Sequence, residues 1–122
     1  MPSPRRHPPA RQPDDLSRMF LLRANAADVD GVVALYEREA VLVGRNRELL
    51  IGTEAIRRFY ERLLAARPQF SGTPQPVVLR GDVALTSTQF RIRSGRAATA
   101  EVARRQPDGT WLWAIDNPNV LA

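Results

Sequence analysis

Apolar residues recur at helical spacing three times in the first half of the chain. The runs are DLSRMFLLRAN (15–25), VDGVVALYERE (29–39) and EAIRRFYERLLAAR (54–67). Each run lies behind an acidic residue or a threonine, whose side-chain oxygens accept hydrogen bonds from the free N–H groups of a first helical turn. Pro68 marks the end of the third run. The spacing therefore predicts three helices.

The second half of the chain changes to the period of β-strands. Four strand-like runs follow one another: QPVVLR (75–80), DVALTSTQFRIR (82–93), AATAEVARR (97–105) and TWLWAID (110–116). The pairs GD, SG and DG that separate them are typical of tight hairpins. Two shorter strands, AVLV (40–43) and LLIG (49–52), lie between the second and third helices. Helices grouped first and strands grouped last predict an α+β fold, with the helices covering one face of a curved antiparallel sheet.

Length and composition are those of one soluble globular domain. The chain has 122 residues, of which 43% are hydrophobic and 25% are charged. Residues 1–13 contain five prolines and three arginines, so we expect a disordered tail at 1–13 and a single folded domain at 14–122. No apolar run approaches the ~20 residues of a membrane span and no signal-peptide pattern opens the sequence, which predicts a cytoplasmic protein.

Several kinds of chemistry are excluded by residue types that the sequence lacks. It has no cysteine and one histidine, His7, which rules out disulfides, thiolate catalysis, a Cys/His metal centre and a Ser-His-Asp triad. We expect neither a metal nor an organic cofactor. The net charge of +5 comes from arginines spread over the predicted elements rather than along one stripe, which argues against a nucleic-acid partner. The arginine-rich tail is the one place where such a partner could bind.

The order of these elements resembles a known fold. ADVDGVVALYEREAVLVG (27–44), IGTEAIRRFYERLL (51–64) and PDGTWLWAID (107–116) resemble the SnoaL-like and ketosteroid-isomerase-like branch of the NTF2-like superfamily, from Asp15 to Pro118. The resemblance implies an NTF2-like cone, in which three helices from the N-terminal half pack on the concave face of a curved, mostly antiparallel sheet and enclose a pocket. This fold hosts isomerases, cyclases, dehydratases, epoxide hydrolases and non-catalytic binding proteins, so it implies no single reaction.

The residues that ketosteroid isomerases use are only partly present. The resemblance puts Gly44 where those enzymes carry a carboxylate base and Phe20 where they carry an oxyanion tyrosine, while Glu101 falls close to their protonated aspartate. Steroid isomerisation by that route is therefore not expected. Tyr36 and Tyr60 match two tyrosines behind the catalytic one, although a tyrosine on an apolar stripe is more often part of the core.

The remaining residues of the expected pocket follow from the resemblance and from strand alternation. Ser87 and Gln89 share one face of their strand and are expected to point inward, whereas in the alternative register residues 86, 88 and 90 do so. The expected ligand-binding residues are Phe20, Tyr36, Phe59, Tyr60, Ser87, Gln89 and Ala114.

The last strand poses the question of which face carries Asp116. Alternation groups Trp111, Trp113 and Ile115 on one face, and Ala114 with Asp116 on the other. The resemblance implies that Asp116 faces the concave side and that the tryptophans lie on the convex side, where this fold commonly meets a second subunit. We therefore expect a homodimer through Trp111 and Trp113. In the alternative arrangement, the tryptophans pack under the N-terminal segment.

Asp116 and Glu101 are the candidate catalytic residues. Alternation on the penultimate strand puts Glu101 on the concave face, so the two carboxyls can meet in one cavity from neighbouring strands. Burial and mutual repulsion raise the pKa of at least one such carboxyl, which suits general acid–base work near neutral pH. Three alternatives stay open. An arginine such as Arg91 or Arg104 pairs with a carboxyl, a carboxyl lies at a solvated strand end, or Asp116 caps the turn at Asn117-Pro118.

These observations favour a small enzyme that isomerises, cyclises or dehydrates an apolar, oxygenated metabolite of polyketide or terpenoid type. Asp116 would move a proton, Glu101 would act as its partner acid or orienting group, and a tyrosine hydroxyl would stabilise oxyanion charge. The competing hypothesis is a non-catalytic ligand-binding or assembly module of the same fold.

Overall fold

The computed structural model describes residues 7–93 and 95–121, and three helices occupy its N-terminal half. They are α1 (Pro13–Asn25), α2 (Val29–Val33) and α3 (Thr53–Leu64). The Asp15 carboxylate accepts the backbone N–H of Gln12 at 3.1 Å at the start of α1. Asp28 caps α2 by accepting the Gly31 N–H at 3.0 Å. α1 packs against strands that lie after residue 71, whereas α3 packs against the two strands between residues 36 and 51.

Nine strands in the described residues form two sheets. Their bounds are β1 (Tyr36–Val43), β2 (Leu49–Ile51), β3 (Gly72–Pro74), β4 (Val78–Arg80), β5 (Val83–Thr86), β6 (Thr88–Ile92), β7 (Gly95–Ala98), β8 (Ala100–Arg105) and β9 (Trp111–Asn117). One sheet has the order β2-β1-β9-β8-β5-β4 and the other β3-β6-β7. β1 and β9 run parallel and the other pairs are antiparallel. The helices cover one face of a curved, mostly antiparallel sheet. This arrangement confirms the predicted α+β fold.

The meander bends where the sequence predicted two long, continuous strands. Ser87 alone separates β5 from β6, and Thr99 alone separates β7 from β8. The two breaks are tied together, because the Ser87 hydroxyl donates to the Thr99 carbonyl at 2.7 Å and the Thr99 N–H donates to the Thr88 carbonyl at 2.9 Å. As a result, strands of both sheets line one cavity.

The second helix is shorter than the spacing predicted. α2 ends at Val33, and Tyr36 is the first residue of β1 instead of lying on a helical stripe. Tyr36 pairs with Trp113 across the parallel β1–β9 ladder, and the backbone N–H of Trp113 donates to the Leu35 carbonyl at 2.8 Å. Because these hydrogen bonds to the last strand replace helical ones, tertiary pairing overrides a spacing that also fits a helix.

The predicted disorder of the tail is wrong for residues 7–13, while residues 1–6 lie outside the described residues. Ala10 is buried, and its carbonyl accepts the Trp111 N–H at 2.9 Å. Arg23 donates to the Pro8 carbonyl at 2.7 Å, and the His7 ring lies 2.8 Å from the Asp28 carboxylate. These contacts hold the segment against the first residue of β9, the last turn of α1 and the start of α2. The local composition does not reveal them.

A bulge in β9 gives the tryptophans the orientation opposite to the one expected. Val102 of β8 pairs with Ile115 and Ala103 pairs with Trp113, so Ala114 is the extra residue in the ladder. The bulge reverses the alternation, and Trp111, Trp113 and Asp116 all point to the helix side. Neither tryptophan can form a convex dimer contact, since the two are 5% and 2% exposed. The alternative arrangement, with tryptophan packed under the N-terminal segment, is the one observed for Trp111.

Candidate active site

Two carboxyl groups face the helices from adjacent strands. Glu101 of β8 and Asp116 of β9 are direct cross-strand partners, and each residue is 4% exposed. Directly opposed residues on an antiparallel pair hold their side chains side by side on the same face. The bulge at Ala114 is what brings Asp116 to this face together with Trp113.

Asp116 is held by a chain of tyrosine hydroxyls. The Tyr36 hydroxyl donates to Asp116 Oδ2 at 2.5 Å, and the Tyr36 and Tyr60 hydroxyl oxygens lie 2.6 Å apart. The other carboxyl oxygen, Oδ1, is buried and has no hydrogen-bond partner among the described residues. Burial, with the nearby charge of Glu101 as a second cause, raises the pKa of Asp116 well above its ordinary value. A buried oxygen without a partner favours the protonated acid, whose O–H is free to donate to a ligand.

Glu101 is held by threonine hydroxyls, whereas Asp116 is held by tyrosine hydroxyls. The Thr86 hydroxyl donates to Glu101 Oε1 at 2.6 Å, and the Trp113 indole N–H donates to the Thr86 oxygen at 3.1 Å. Burial raises the pKa of Glu101 to about 7, and the hydroxyls of Thr86 and Thr99 partly oppose that rise because they stabilise the ionised form. Glu101 is therefore the member of the pair that ionises more readily.

The raised pKa values put the first ionisation of the pair near neutral pH. Burial and the charge of Asp116 also raise the pKa values of Tyr36 and Tyr60 well above the ordinary value, so both hydroxyls keep their protons and serve as donors. Because the two carboxyls interact directly, their titration belongs to the pair as a whole. One ionised and one protonated carboxyl in one site supply a base and an acid together.

The carboxyls lie in the wall of a cavity of about 600 Å³. This volume is in the range of pockets that take small organic ligands. Its walls are mainly apolar and aromatic, from α1, α3, the segment before β3, and strands of both sheets. The residues include Phe20, Phe59, Tyr60, Leu63, Phe70, Phe90 and Trp113.

The structure places five of the nine expected site residues in the wall of this cavity: Phe20, Phe59, Tyr60, Glu101 and Asp116. Tyr36 is behind the wall, where it contacts Asp116 and Tyr60. The other three expectations are wrong. Ser87 is turned to the Thr99 carbonyl, Gln89 is exposed, and Ala114 is the bulge residue outside the lining.

The alternative register of β5 and β6 is the correct one. Thr86 is buried against Glu101, while Thr88 and Phe90 line the cavity. Sequence reasoning also missed Phe70 as lining, because it precedes a short strand that no periodicity marks. Trp113 was missed because strict alternation put it on the wrong face.

None of the three alternative explanations for the carboxyls holds in the described residues, and the burial of both rules out a solvated strand end. No arginine pairs with Glu101 or Asp116 there; Arg104 instead makes a bidentate contact to Glu37 at 2.6 and 2.8 Å. The turn after β9 is capped by Asn117, whose side chain accepts the Asn119 N–H at 3.2 Å.

Neither a metal-binding cluster nor a membrane-spanning helix is present in residues 7–93 and 95–121. No group of three or more histidine, aspartate or glutamate side chains is arranged there to hold a metal ion. Within the same residues, no helix has the length and apolar character needed to cross a membrane.

Comparison with known protein families identifies the fold and its branch. The model of the SnoaL-like domain matches residues 17–118, which is most of the chain. The chain belongs to the SnoaL-like family. Its fold is NTF2-like, as the resemblance implied, and this fold family includes isomerases and dehydratases. No curated protein sequence matches this SnoaL-like chain.

Solved structures share the fold at low sequence identity. A ketosteroid isomerase-like protein from Erwinia carotovora atroseptica is 21% identical, with a TM-score of 0.70 over 85% of this chain and 89% of that one. A proposed dehydratase of the NTF2-like family from Streptomyces avermitilis is 17% identical, with a TM-score of 0.70 over 88% and 93%. An NTF2-like protein of unknown function from Pseudomonas putida is 18% identical, with a TM-score of 0.69 over 84% and 80%. These likenesses establish the fold only.

Proposed function

We propose that this SnoaL-like protein is an acid–base enzyme that isomerises, cyclises or dehydrates an apolar, oxygenated metabolite of polyketide or terpenoid type. The observation that carries the proposal is the Glu101–Asp116 pair in the wall of an apolar cavity, with one carboxyl oxygen left without a partner. The three reactions share one step, the removal of a proton from the carbon next to a carbonyl group. A pair of carboxyls with raised pKa values is suited to that step near neutral pH.

In the proposed mechanism, ionised Glu101 takes the proton from carbon while Asp116 donates its own proton to the carbonyl oxygen, which yields an enol. Return of the Glu101 proton to a different carbon and of the enol proton to Asp116 gives the isomer and restores both groups. In a dehydration, Glu101 takes the proton from carbon while the departing hydroxyl takes the Asp116 proton and leaves as water, and the proton on Glu101 then passes to Asp116, its cross-strand neighbour, which restores both groups. Tyr36 and Tyr60 stabilise the Asp116 carboxylate that forms transiently, because their hydrogen bonds strengthen as charge develops on it.

We expect proton exchange at carbon to follow a bell-shaped pH profile. Activity should rise with a midpoint at about pH 7 as Glu101 loses its proton, and it should fall at higher pH once Asp116 loses the proton that it must donate. The measurement is solvent deuterium incorporation into a panel of cyclic and aromatic ketones, followed by NMR. In E101Q the exchange should disappear at every pH.

A non-catalytic binding module is the second candidate. It is favoured by Gly44 and Phe20, which occupy the positions where the resembling isomerases carry a base and an oxyanion donor. Ketones that bind in the cavity without any deuterium exchange in the wild type would support this candidate and contradict the enzyme proposal.

A homodimer through the convex face of the six-stranded sheet also forms part of the proposal. One aliphatic residue from each strand lies in a single cross-strand row, set by the pairing register: Ile51, Val41, Ile115, Val102, Leu85 and Val78. Ile51, Ile115 and Val78 are between 48% and 63% exposed in this chain. A two-fold axis brings such a row against its own copy, which would bury it without a different partner.

Replacing Ile115 with glutamate should convert the dimer to a monomer, because a charge in the middle of the row would be buried without a partner in the dimer. The measurement is sedimentation equilibrium. L22E serves as the control, since Leu22 is 74% exposed on α1 instead of the sheet, and this variant should remain dimeric. A wild type that sediments as a monomer at all concentrations tested would refute the dimer.

A further inference from the structure

A relay of two side chains, Trp113 and Thr86, reaches Glu101 from the core. The Trp113 indole N–H donates to the Thr86 oxygen at 3.1 Å, and the Thr86 hydroxyl donates to Glu101 Oε1 at 2.6 Å. Thr86 is 1% exposed and Trp113 is 2% exposed, so both contacts are buried. Neither side chain takes part in the proton transfers of the proposed mechanism.

The geometry of the threonine hydroxyl determines where its proton points. A hydroxyl has one proton and can accept through its oxygen lone pairs, whereas an indole N–H can only donate. With the indole occupying the acceptor side of Thr86, the single hydroxyl proton is directed to Glu101. Oε1 is thereby committed as the acceptor of the Thr86 hydroxyl, and the Thr99 hydroxyl is a second hydrogen-bond partner of the same carboxyl.

We infer that Trp113 and Thr86 are positioning residues for Glu101, which fix the orientation of its carboxylate through Oε1. The inference rests on the proposed function where it names Glu101 as the base. It also makes Trp113 a reporter of the charge on Glu101, because a change at Oε1 is transmitted through one hydroxyl to the indole N–H.

Other titratable groups near Glu101 must be separated from this effect. Asp116 faces Glu101 from β9, and Tyr36 on β1 contacts Asp116. Burial and the charges of Asp116 and Glu101 raise the pKa of Tyr60 on α3. No arginine or histidine of the described residues is paired with Glu101. The two tyrosines keep their protons over the neutral range, so Asp116 is the group that needs a control variant.

The test is a pH titration of the two indole N–H resonances in ¹H–¹⁵N NMR spectra of the full chain. The chain has two tryptophans, and Trp111 makes no side-chain hydrogen bond to a carboxyl in the described residues, so it is an internal control. We expect the Trp113 resonance to shift with a midpoint at about pH 7 while the Trp111 resonance does not. The shift should vanish in E101Q and persist in D116N.

The matched variants at Thr86 separate positioning from packing. T86V preserves the shape of the side chain but removes the hydroxyl, so the Trp113 resonance should no longer follow Glu101. The pKa of Glu101, read by ¹³C NMR of its carboxyl carbon, should rise by about one unit, because the ionised form loses a donor. T86S retains the hydroxyl, so both readouts should return to the wild-type behaviour. This variant tests the role of the hydroxyl even if T86V folds poorly.

Two results would overturn the relay. One is a Trp113 titration that survives in E101Q or in T86V, and the other is a wild-type resonance that does not respond as Glu101 titrates. Both readouts are independent of turnover. A relay that titrates as expected in a protein without proton exchange would therefore refute the enzyme proposal and leave the positioning of Glu101 intact.

Discussion

Replacing Glu101 with glutamine is expected to make the folded protein more stable at pH 8 by about 3 kcal/mol, with little change at pH 4.5. Burial raises the pKa of Glu101 from 4.5 to about 7, and a shift of that size corresponds to about 3 kcal/mol. Between these values the folded state binds a proton that the unfolded state has released. The free energy of unfolding of the wild type should therefore fall as pH rises toward and through 7.

Urea unfolding followed by far-UV circular dichroism at several pH values measures this effect. The wild-type stability should decline with rising pH, and the curve of E101Q should decline less. Asp116 shifts in the same direction, so the double variant E101Q/D116N should be flatter still. E39Q is the matched control, because Glu39 is exposed on β1 and should leave the decline unchanged. Parallel curves for the wild type and E101Q would show that Glu101 titrates alike in the folded and unfolded states.

Asp116→Asn is expected to reduce proton exchange at carbon by about 10²- to 10⁴-fold, the usual contribution of a positioned general acid or base. The amide can still accept the Tyr36 hydrogen bond, so the fold should be retained. It cannot transfer a proton to a carbonyl oxygen. The same substitution removes a buried acid whose pKa is raised well above its ordinary value, so folding no longer requires proton uptake at this position and stability at neutral pH should increase while activity is lost.

The rate of deuterium incorporation, measured with the ketone that the wild type exchanges fastest, tests this prediction. D14N is the control, because Asp14 is an exposed residue in the first turn of α1, away from the cavity. Its rate should equal that of the wild type. Exchange by D116N at the wild-type rate would remove Asp116 from the mechanism and leave Glu101 to act alone.

Local patterns were sufficient for most of the architecture. The apolar stripes predicted the positions of α1 and α3, and the glycine-containing turns predicted the hairpins of the second half. Alternation on the penultimate strand placed Glu101 on the helix side, which the structure confirms. These features depend on residues close together in the chain, where helical spacing, turn geometry and the period of two act directly.

The candidate site was harder to predict, because it depends on pairings between distant segments. Tyr36 fits a helical stripe, yet it begins a strand because residues 35 and 36 pair with β9. The pattern of residues 82–93 was compatible with two alternations of inward and outward side chains. The one that was preferred placed Ser87 and Gln89 inward. The tail looked disordered because its contacts, from Ala10 to Trp111 and from Arg23 to Pro8, join it to residues far along the sequence.

By itself, the sequence determined the α+β class, the NTF2-like resemblance and the two carboxyls that the site contains. Only the tertiary structure decided how those carboxyls are surrounded. A single extra residue at Ala114 turns Trp113 and Asp116 to the same side of the sheet. The period of a strand is two, so one bulged residue reverses every later side chain, and the bulge exists only through pairing with β8.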